Sequence, residues 1–332
     1  MSLLYVSENG AVIQSQANRI VVNTKDGVSR SIPVETLEGI TLLAPAQLTT
    51  QCMETCMKKG IDVVFFSKGG HYFGRLTATG YQKAGLQRRQ AKLYHSDFAI
   101  DLSRRMVAAK LNNQAVMLRR YARNHAVDVN REVMHIQWAK ERAASEQAIP
   151  EIMGYEGHGA KSYFKGLSRC VDSDFAFSGR SRRPPRDPFN ALISLGYAIL
   201  LNELYGEIES HGLNPYFGFM HQDAEKHPTL ASDLMEEWRA VLVDSLAMSL
   251  LNGHELAVGD FESDDAGGCY LTKKGLAVFL NKMEKKMQTS IRYLHYLDYP
   301  VTFRRALGFQ AGRLAKAIEA EDAALYDPIL IR

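Results

Sequence analysis

The 332-residue sequence lacks an apolar run long enough to cross a membrane. Its longest apolar stretch, residues 189–201 (FNALISLGYAILL), contains an Asn, a Ser and a Gly. It is also shorter than the roughly 20 residues that a membrane-spanning helix needs. No basic-then-apolar signal segment opens the chain. We therefore expect a cytoplasmic protein that does not act at a membrane.

Cysteine is scarce as well. The four cysteines include no C-x-x-C pair, which argues against both a zinc knuckle and a disulfide framework. Hydrophobic residues make up 46% of the chain, enough to form a core and to exclude wholesale disorder. The length predicts two unequal domains.

Charge is unevenly distributed although the net charge is only +3. Residues 75–131 hold twelve Lys or Arg against three Asp, whereas residues 201–265 hold fourteen acidic residues against two basic ones. This asymmetry indicates an anionic partner for the basic part, and cations for the acidic part. Ordinary solvated helix faces are the alternative for both.

The first 74 residues have the pattern of β-structure. Short segments rich in β-branched and aromatic residues (SLLYV, AVIQ, RIVVNT, ITLLA and IDVVFFS) are separated by turn signals at Asn9-Gly10, Asp26-Gly27, Gly39 and Gly69-Gly70. The interruption TTQCMETCMKKG is predicted to be a helix ending at Gly60. We expect a small β-sandwich-like domain with one helix.

Beyond Gly80 apolar residues recur at helical spacing, and no convincing strand is predicted. The segment SDFAFSGRSRRPPRDP is the clearest loop. The predicted fold class is therefore α+β: a small β-rich domain (1–74), a basic linker (75–90) and a larger all-α domain (91–332). The predicted helices within the last domain include residues 130–147, 188–211, 230–252, 272–295 and 303–320.

A histidine and several acids lie close together in the sequence GFMHQDAEKHPTLASDLMEEWR. Helical spacing predicts that Asp233, Glu236 and Glu237 share one face near a helix start, where the helix dipole alone would favour acidic residues. The loop before this helix is long enough to bring His221 beside them, and His227 competes for the same role. One imidazole with hard carboxylate oxygens suits Mg²⁺ or Mn²⁺ better than structural zinc.

A further ligand is expected upstream, in IMGYEGHGAKSYFKGL. Glu156 lies in a stretch of apolar or small residues, and a carboxylate buried there must be paired or bound to metal. Partial exposure at a helix start is the alternative, and His158 could replace Glu156 if the helix is turned differently.

Three elements in this order resemble one known family. They are G-Y-E-G-x-x-A-x-x-Y-F around Glu156, R-x-P-P-x-D-P-x-N-A-L-x-S-L-G-Y at residues 182–197, and G-F-M-H…D-L-M-E-E-W-R at residues 218–239. Together they are similar to the CRISPR-associated integrase (Cas-one) family, the larger and metal-dependent subunit of the spacer-acquisition complex. The β-then-α order agrees over nearly the whole chain.

The resemblance implies a divalent-metal site made of Glu156, His221 and Glu236, with Asp233 supporting it as a further catalytic residue. It implies Mg²⁺ or Mn²⁺ as cofactor. The implied reaction is transesterification, in which the 3′-OH of a prespacer attacks a phosphodiester at the edge of a CRISPR repeat. It also implies that the β-rich domain (1–74) forms a homodimer and that the helical domain (91–332) is the metal-dependent catalytic domain. A small CRISPR-associated partner subunit is implied to bridge two dimers.

Basic side chains are expected to hold the phosphates of double-stranded DNA, both prespacer and repeat. Two other functions stay open: a general structure-specific DNA repair nuclease, and a non-catalytic DNA-binding scaffold. The candidate DNA-binding residues are Arg88, Arg89, Lys92, Arg180, Arg182, Arg183 and Arg186.

Overall fold

A computed structural model describes residues 2–67, 70–78 and 83–332 of the chain. The chain divides into two compact units: residues 1–81 with 276–284, and residues 82–275 with 285–332. Among the described residues no helix is both long and apolar enough to cross a membrane.

The first unit contains eight strands within its described part, arranged in two four-stranded sheets. One sheet has the order β1-β5-β7-β8 and the other β4-β3-β2-β6. In the first sheet β1, β5 and β7 run parallel while β8 is antiparallel. The strands are β1 Ser2–Val6, β2 Val12–Gln16, β3 Arg19–Asn23, β4 Ser29–Pro33, β5 Leu37–Leu42, β6 Gln47–Leu48, β7 Asp62–Phe66 and β8 Tyr72–Leu76.

Both sheets and helix α1 (Thr50–Lys59) contribute to one hydrophobic core, which includes Ile13, Ile40 and Cys56. The predicted sandwich-like arrangement is thereby confirmed. The predicted helix is confirmed too: Thr49 caps its start, and Gly60 ends it in the left-handed conformation that favours glycine.

The turn predicted at Gly39 is wrong. Gly39 is not in a turn but inside β5, where a Cβ would lie 2.8 Å from a methyl carbon of Leu3. This close approach explains the glycine without a turn. Gly69 of the predicted Gly69-Gly70 turn lies outside the described residues.

The second part of the chain is mainly helical, as predicted. The predicted helices at 130–147, 188–211 and 303–320 agree with the structure to within two residues. The helices are α2 Ala84–Lys92, α3 Asp97–His125, α4 Asn130–Ser145, α5 Ile149–Leu167, α6 Pro188–Ser210, α7 Thr229–Met235, α8 Ser245–Asn252, α9 Lys273–Met287 and α10 Phe303–Ala320.

The predicted continuous helix at 230–252 is wrong. Helix α7 ends at Met235, a tight turn follows, and a π-helical segment Arg239–Asp244 leads into α8. Hydrogen bonds in this turn run over three residues, from Glu236 N to Asp233 O and from Trp238 N to Met235 O. Such irregularities are typical of functional positions.

The expectation that no strand follows the first domain is also wrong. Strand β9 (Phe261–Ser263) pairs with β10 (Cys269–Leu271), and β11 (Ser290–Ile291) pairs with β12 (Val301–Thr302). The predicted helix 272–295 accordingly ends at Met287. Strands of two or three residues are too short to show the alternating pattern that identifies strands in a sequence. The α+β class, with a small β-sandwich before a larger helical part, is nevertheless confirmed.

Candidate metal and catalytic centre

Two carboxylates from distant parts of the chain meet at one buried lysine. Lys110 on α3 makes an ion pair with Glu156 on α5, and its Nζ lies 2.5 Å from Oε2 of Glu236. Their side chains are 7%, 14% and 5% exposed, respectively. Burial alone would lower the pKa of Lys110, but the two carboxylates raise it above its usual value. The lysine is therefore a charged ammonium between two acids.

Glu236 lies in the turn between α7 and the π-helical segment. Its Oε1 is 3.0 Å from Nη2 of Arg239 and 3.8 Å from Nε2 of His221. Burial would raise its pKa, but Arg239 and Lys110 lower the pKa to about 2. Glu236 is thus an ionised carboxylate held by cations in a region with little water.

Asp233 orients His221. Its Oδ2 accepts hydrogen bonds from the amides of Phe219 and Met220, at 2.7 and 3.0 Å. Its Oδ1 accepts from the amide and Nδ1 of His221, at 3.0 and 2.6 Å. With Nδ1 donating to Asp233, the Nε2 edge of the ring lies towards Glu236. Burial would lower the pKa of His221, but Asp233 and Glu236 raise it above its usual value. Asp233 is fully buried and supports the site through this histidine.

The two alternative histidines lie elsewhere. His227 Nε2 is 2.9 Å from the hydroxyl of Ser232, so this side chain is bonded to helix α7. His158 is exposed on α5, with its ring 5.3 Å from that of Trp138 on α4. His221 is therefore the one of the three histidines that lies beside Glu236.

The structure brings Glu156 and Glu236 together at Lys110, and places His221 beside Glu236 with Asp233 behind the histidine. Among the described residues no three His, Cys, Asp or Glu side chains are grouped closely enough to hold an ion, and here the lysine separates the carboxylates. The donor set nonetheless fits Mg²⁺ or Mn²⁺: two carboxylates and one imidazole, with the buried Oε2 of Glu236 already facing a cation, the ammonium of Lys110. The metal site stays a prediction.

A second buried network lies behind Glu236 and was not predicted from the sequence. The guanidinium of Arg239 lies 4.6 Å from the ring centre of Tyr197. The hydroxyls of Tyr197 and Tyr163 both donate to Asp244, the latter at 3.1 Å. Burial raises the pKa of Asp244 to about 6. This network fixes Arg239, and through it Glu236.

Glu237 does not share the face of Glu236, contrary to the prediction. Its carboxylate accepts hydrogen bonds from the hydroxyl of Tyr326 at 2.6 Å and the amide of Ile329 at 2.7 Å. Burial raises the pKa of Glu237 to about 8. The turn after α7 and the π-helical segment change the helical phase, so spacing alone could not assign this face.

The candidate DNA-binding residues fall into two groups. Arg89, Arg180 and Arg186 are bonded within the protein: Arg89 to the carbonyl of Glu319 at 2.6 Å, Arg180 to Asn190 at 2.8 Å, and Arg186 to the carbonyl of Ala266 at 3.0 Å. The side chains of a second group are exposed to solvent: Arg88, Lys92, Arg182 and Arg183. DNA binding by either group stays a prediction.

The chain is similar to known proteins over most of its length. The family model described as "CRISPR associated protein Cas1" matches residues 4–285. The CRISPR-associated endonuclease Cas1 of Mycobacterium tuberculosis (strain CDC 1551 / Oshkosh) is 34% identical over 324 residues, which cover 96% of this chain and 95% of that protein.

Two solved structures share the fold. A casposase bound to integration product superposes with a TM-score of 0.88 at 19% identity, covering 97% of this chain and 92% of that chain. A chain of a Cas6-RT-Cas1–Cas2 complex gives 0.83 at 23% identity, covering 98% of this chain and 36% of that chain. Because the family model matches most of the chain and the Mycobacterium relative is 34% identical to it, the chain belongs to the CRISPR-associated Cas1 family.

Proposed function

We propose that this chain is a metal-dependent DNA integrase and endonuclease of CRISPR adaptation, which joins prespacer 3′-OH ends to the CRISPR repeat. The observation that carries the proposal is the convergence of Glu156 and Glu236 on one buried cation, the ammonium of Lys110. Membership in the family supports it. So do the endonuclease name of the Mycobacterium relative and the integration product in the casposase structure.

Each residue of the centre has a distinct task. Glu156, His221 and Glu236 would hold one Mg²⁺ or Mn²⁺, and the ammonium of Lys110 would leave the position between the carboxylates. When bound, such an ion polarises a phosphoryl oxygen and stabilises charge on the attacking and departing oxygens. Asp233 holds the ring of His221, and Arg239 holds Glu236.

The reaction conserves phosphodiester bonds. The 3′-oxygen of the prespacer bonds to phosphorus at the repeat edge while the bond from phosphorus to the departing 3′-oxygen breaks. The attacking hydroxyl loses a proton and the departing oxygen gains one. Because one phosphodiester bond forms for each one that breaks, no ATP is consumed. The lone pair of His221 Nε2 suits either metal ligation or proton transfer. Water in place of the 3′-OH gives hydrolysis.

The proposed partners are double-stranded DNA, a second copy of this chain and a small subunit. A solved neighbour is a complex that contains Cas2, which supports the small subunit. The exposed side chains of Arg88, Lys92, Arg182 and Arg183 are available to phosphates. Pairing of two β-sandwich units would form the homodimer.

A strand-transfer assay on a repeat-bearing plasmid tests the proposal. Prespacers ending in 3′-OH and in 3′-deoxy nucleotides are compared in Mn²⁺, with and without the small subunit. We expect joined product only from the 3′-OH substrate. Plasmid cleavage without joined product would instead indicate a repair nuclease. DNA binding without any Mn²⁺-dependent product would indicate a scaffold.

A further inference from the structure

Three residues near the end of the chain are buried although they form neither helix nor strand. After α10, the segment 326–331 packs against the second unit with Tyr326, Ile329 and Ile331 turned inwards. Tyr326 and Ile329 are fully buried there, and Ile331 is 2% exposed. Buried backbone groups outside regular structure must find hydrogen-bond partners, so their partners show what the segment is fixed to.

Two side chains supply most of these partners. Glu237 accepts from the hydroxyl of Tyr326 and from the amide of Ile329, at 2.6 and 2.7 Å. Asn113 on α3 donates to the carbonyl of Ile329 at 2.8 Å and accepts from the amide of Ile331 at 3.0 Å. The side-chain nitrogen Nδ2 of Asn113 also donates to the backbone carbonyl of Glu237, at 2.9 Å. The segment, α3 and the turn after α7 are therefore joined at one point.

Both side chains are directly connected to the candidate centre. Glu237 follows Glu236 in the chain, so a backbone shift at one moves the other. Asn113 lies three residues after Lys110 on α3, close to one helical turn. The bond from Asn113 to the Glu237 carbonyl therefore helps to set the distance between Lys110 and Glu236.

Packing alone does not explain a carboxyl group at this position. Burying Glu237 is costly, and an apolar side chain of similar volume would fill the space without that cost. The carboxyl group adds directional contacts, because it accepts hydrogen bonds from two donors of the C-terminal segment. Gln310 extends the same network, accepting from Trp238 Nε1 at 2.7 Å and donating to the Tyr326 hydroxyl at 2.9 Å.

We propose that the C-terminal segment 326–331 is a clamp that sets the geometry of the candidate metal centre, with Glu237 and Asn113 as its positioning residues. The clamp holds α3 against the turn that carries Glu236. It rests on the proposed function, since it assigns a role relative to the metal site. Loosening it changes the alignment of Glu236 with Glu156, and so lowers metal affinity while the fold persists.

The test compares full-length variants. Tyr326→Phe removes one hydroxyl of the clamp, Glu237→Ala removes its anchor, and Glu237→Gln keeps the volume and one acceptor oxygen. Tyr121→Phe is the matched control, because this tyrosine also donates a hydrogen bond within the second unit, to the carbonyl of Ser245 at 3.2 Å. Mn²⁺ affinity is measured by titration calorimetry, and amide hydrogen exchange is followed in peptides covering 107–115 and 229–240.

We expect Tyr326→Phe and Glu237→Ala to weaken Mn²⁺ binding, about 10-fold for Glu237→Ala, the lower end of the range for residues that orient ligands. Exchange should accelerate in both peptides, Glu237→Gln should recover part of each loss, and Tyr121→Phe should resemble wild type. If Glu237→Ala does not fold, the Mn²⁺ affinity and amide exchange of Tyr326→Phe still test the clamp.

Wild-type Mn²⁺ affinity and unchanged exchange in Tyr326→Phe and Glu237→Ala would overturn the clamp, leaving the segment as ordinary packing. A wild-type protein that binds no Mn²⁺ would refute the metal-dependent function instead. In that case the exchange measurements still show whether the C-terminal segment holds α3 against the turn after α7.

Discussion

Glu236 and Glu237 are neighbours in the chain, but their buried carboxylates belong to different networks. Glu236 contacts Lys110 and Arg239, whereas Glu237 accepts hydrogen bonds from Tyr326 and Ile329 near the C-terminus. The turn after α7 directs the two side chains to different surroundings. Substitutions at these adjacent positions should therefore fail for different reasons.

Glu236→Gln should abolish Mn²⁺-dependent strand transfer while the protein stays folded, because the amide keeps the volume but not the charge. Glu237→Ala should lower the free energy of unfolding, by about 1–3 kcal/mol for each donor left unpaired, and should reduce strand transfer without abolishing it. Strand-transfer assays and urea unfolding of both variants check this. Wild-type strand transfer by Glu236→Gln would remove Glu236 from the centre.

Lys110→Met should destabilise the metal-free protein, because Glu156 and Glu236 would then face each other without the ammonium between them. Breaking a buried ion pair by removing one partner costs about 3–5 kcal/mol. Added Mn²⁺ should restore this loss, so its effect on the melting temperature should exceed that in wild type. Lys161→Met, at an exposed position of α5, is the control. A Lys110→Met protein as stable as the control without Mn²⁺ would contradict the role of this lysine.

Asp244 should make stability depend on pH. Its pKa is raised from 3.8 to about 6 in the folded protein, mainly by burial. The folded state therefore holds this proton more tightly than the unfolded state. The stabilising contribution is complete below the unfolded pKa and is lost as pH rises through about 6.

Between pH 5 and pH 7.5 the free energy of unfolding of wild type, relative to Asp244→Asn, should fall by about 1 kcal/mol. Urea unfolding of both proteins at the two pH values measures this difference. A relative stability that does not change over this range would show that Asp244 is already ionised in the folded protein at pH 5.

The double substitution Arg88→Glu and Lys92→Glu should weaken binding to double-stranded DNA. Each lost phosphate contact should reduce the slope of log K against log salt by about 0.9. Fluorescence anisotropy over a salt series measures the slope. The control is Lys58→Glu together with Lys59→Glu, exposed lysines on α1 of the first unit. Equal slopes in the two double variants would assign the phosphates to other residues, such as Arg182 and Arg183.

The candidate ligands of the centre can be predicted from the sequence, but their contacts cannot. Glu156, His221 and Glu236 stand in motifs, and the helical parts of those motifs have clear periodicity. Lys110 lies in none of the three motifs. The one feature of the sequence that could indicate its burial is its position between Ala109 and Leu111, which are both buried in α3. Its partners lie 46 and 126 positions away, a separation that no local pattern can reveal.

The irregular elements were missed for a related reason. The apolar stripe of residues 230–252 predicts one helix, but tertiary contacts of Asp233, Glu237 and Asp244 accompany a turn and a π-helical segment there. The burial of residues 326–331 was equally invisible, because it depends on Glu237 and Asn113. Contacts between distant residues, rather than propensity, determine these features.

The most direct test is the location of Mn²⁺ by anomalous scattering from crystals of the wild-type protein grown or soaked with the ion. We predict one anomalous peak about 2.1 Å from carboxylate oxygens of both Glu156 and Glu236 and from Nε2 of His221, the usual range for small hard cations. Lys110 should then have moved out from between the two carboxylates. Full Mn²⁺ occupancy at other residues, with Lys110 still paired to both glutamates, would contradict the proposed centre.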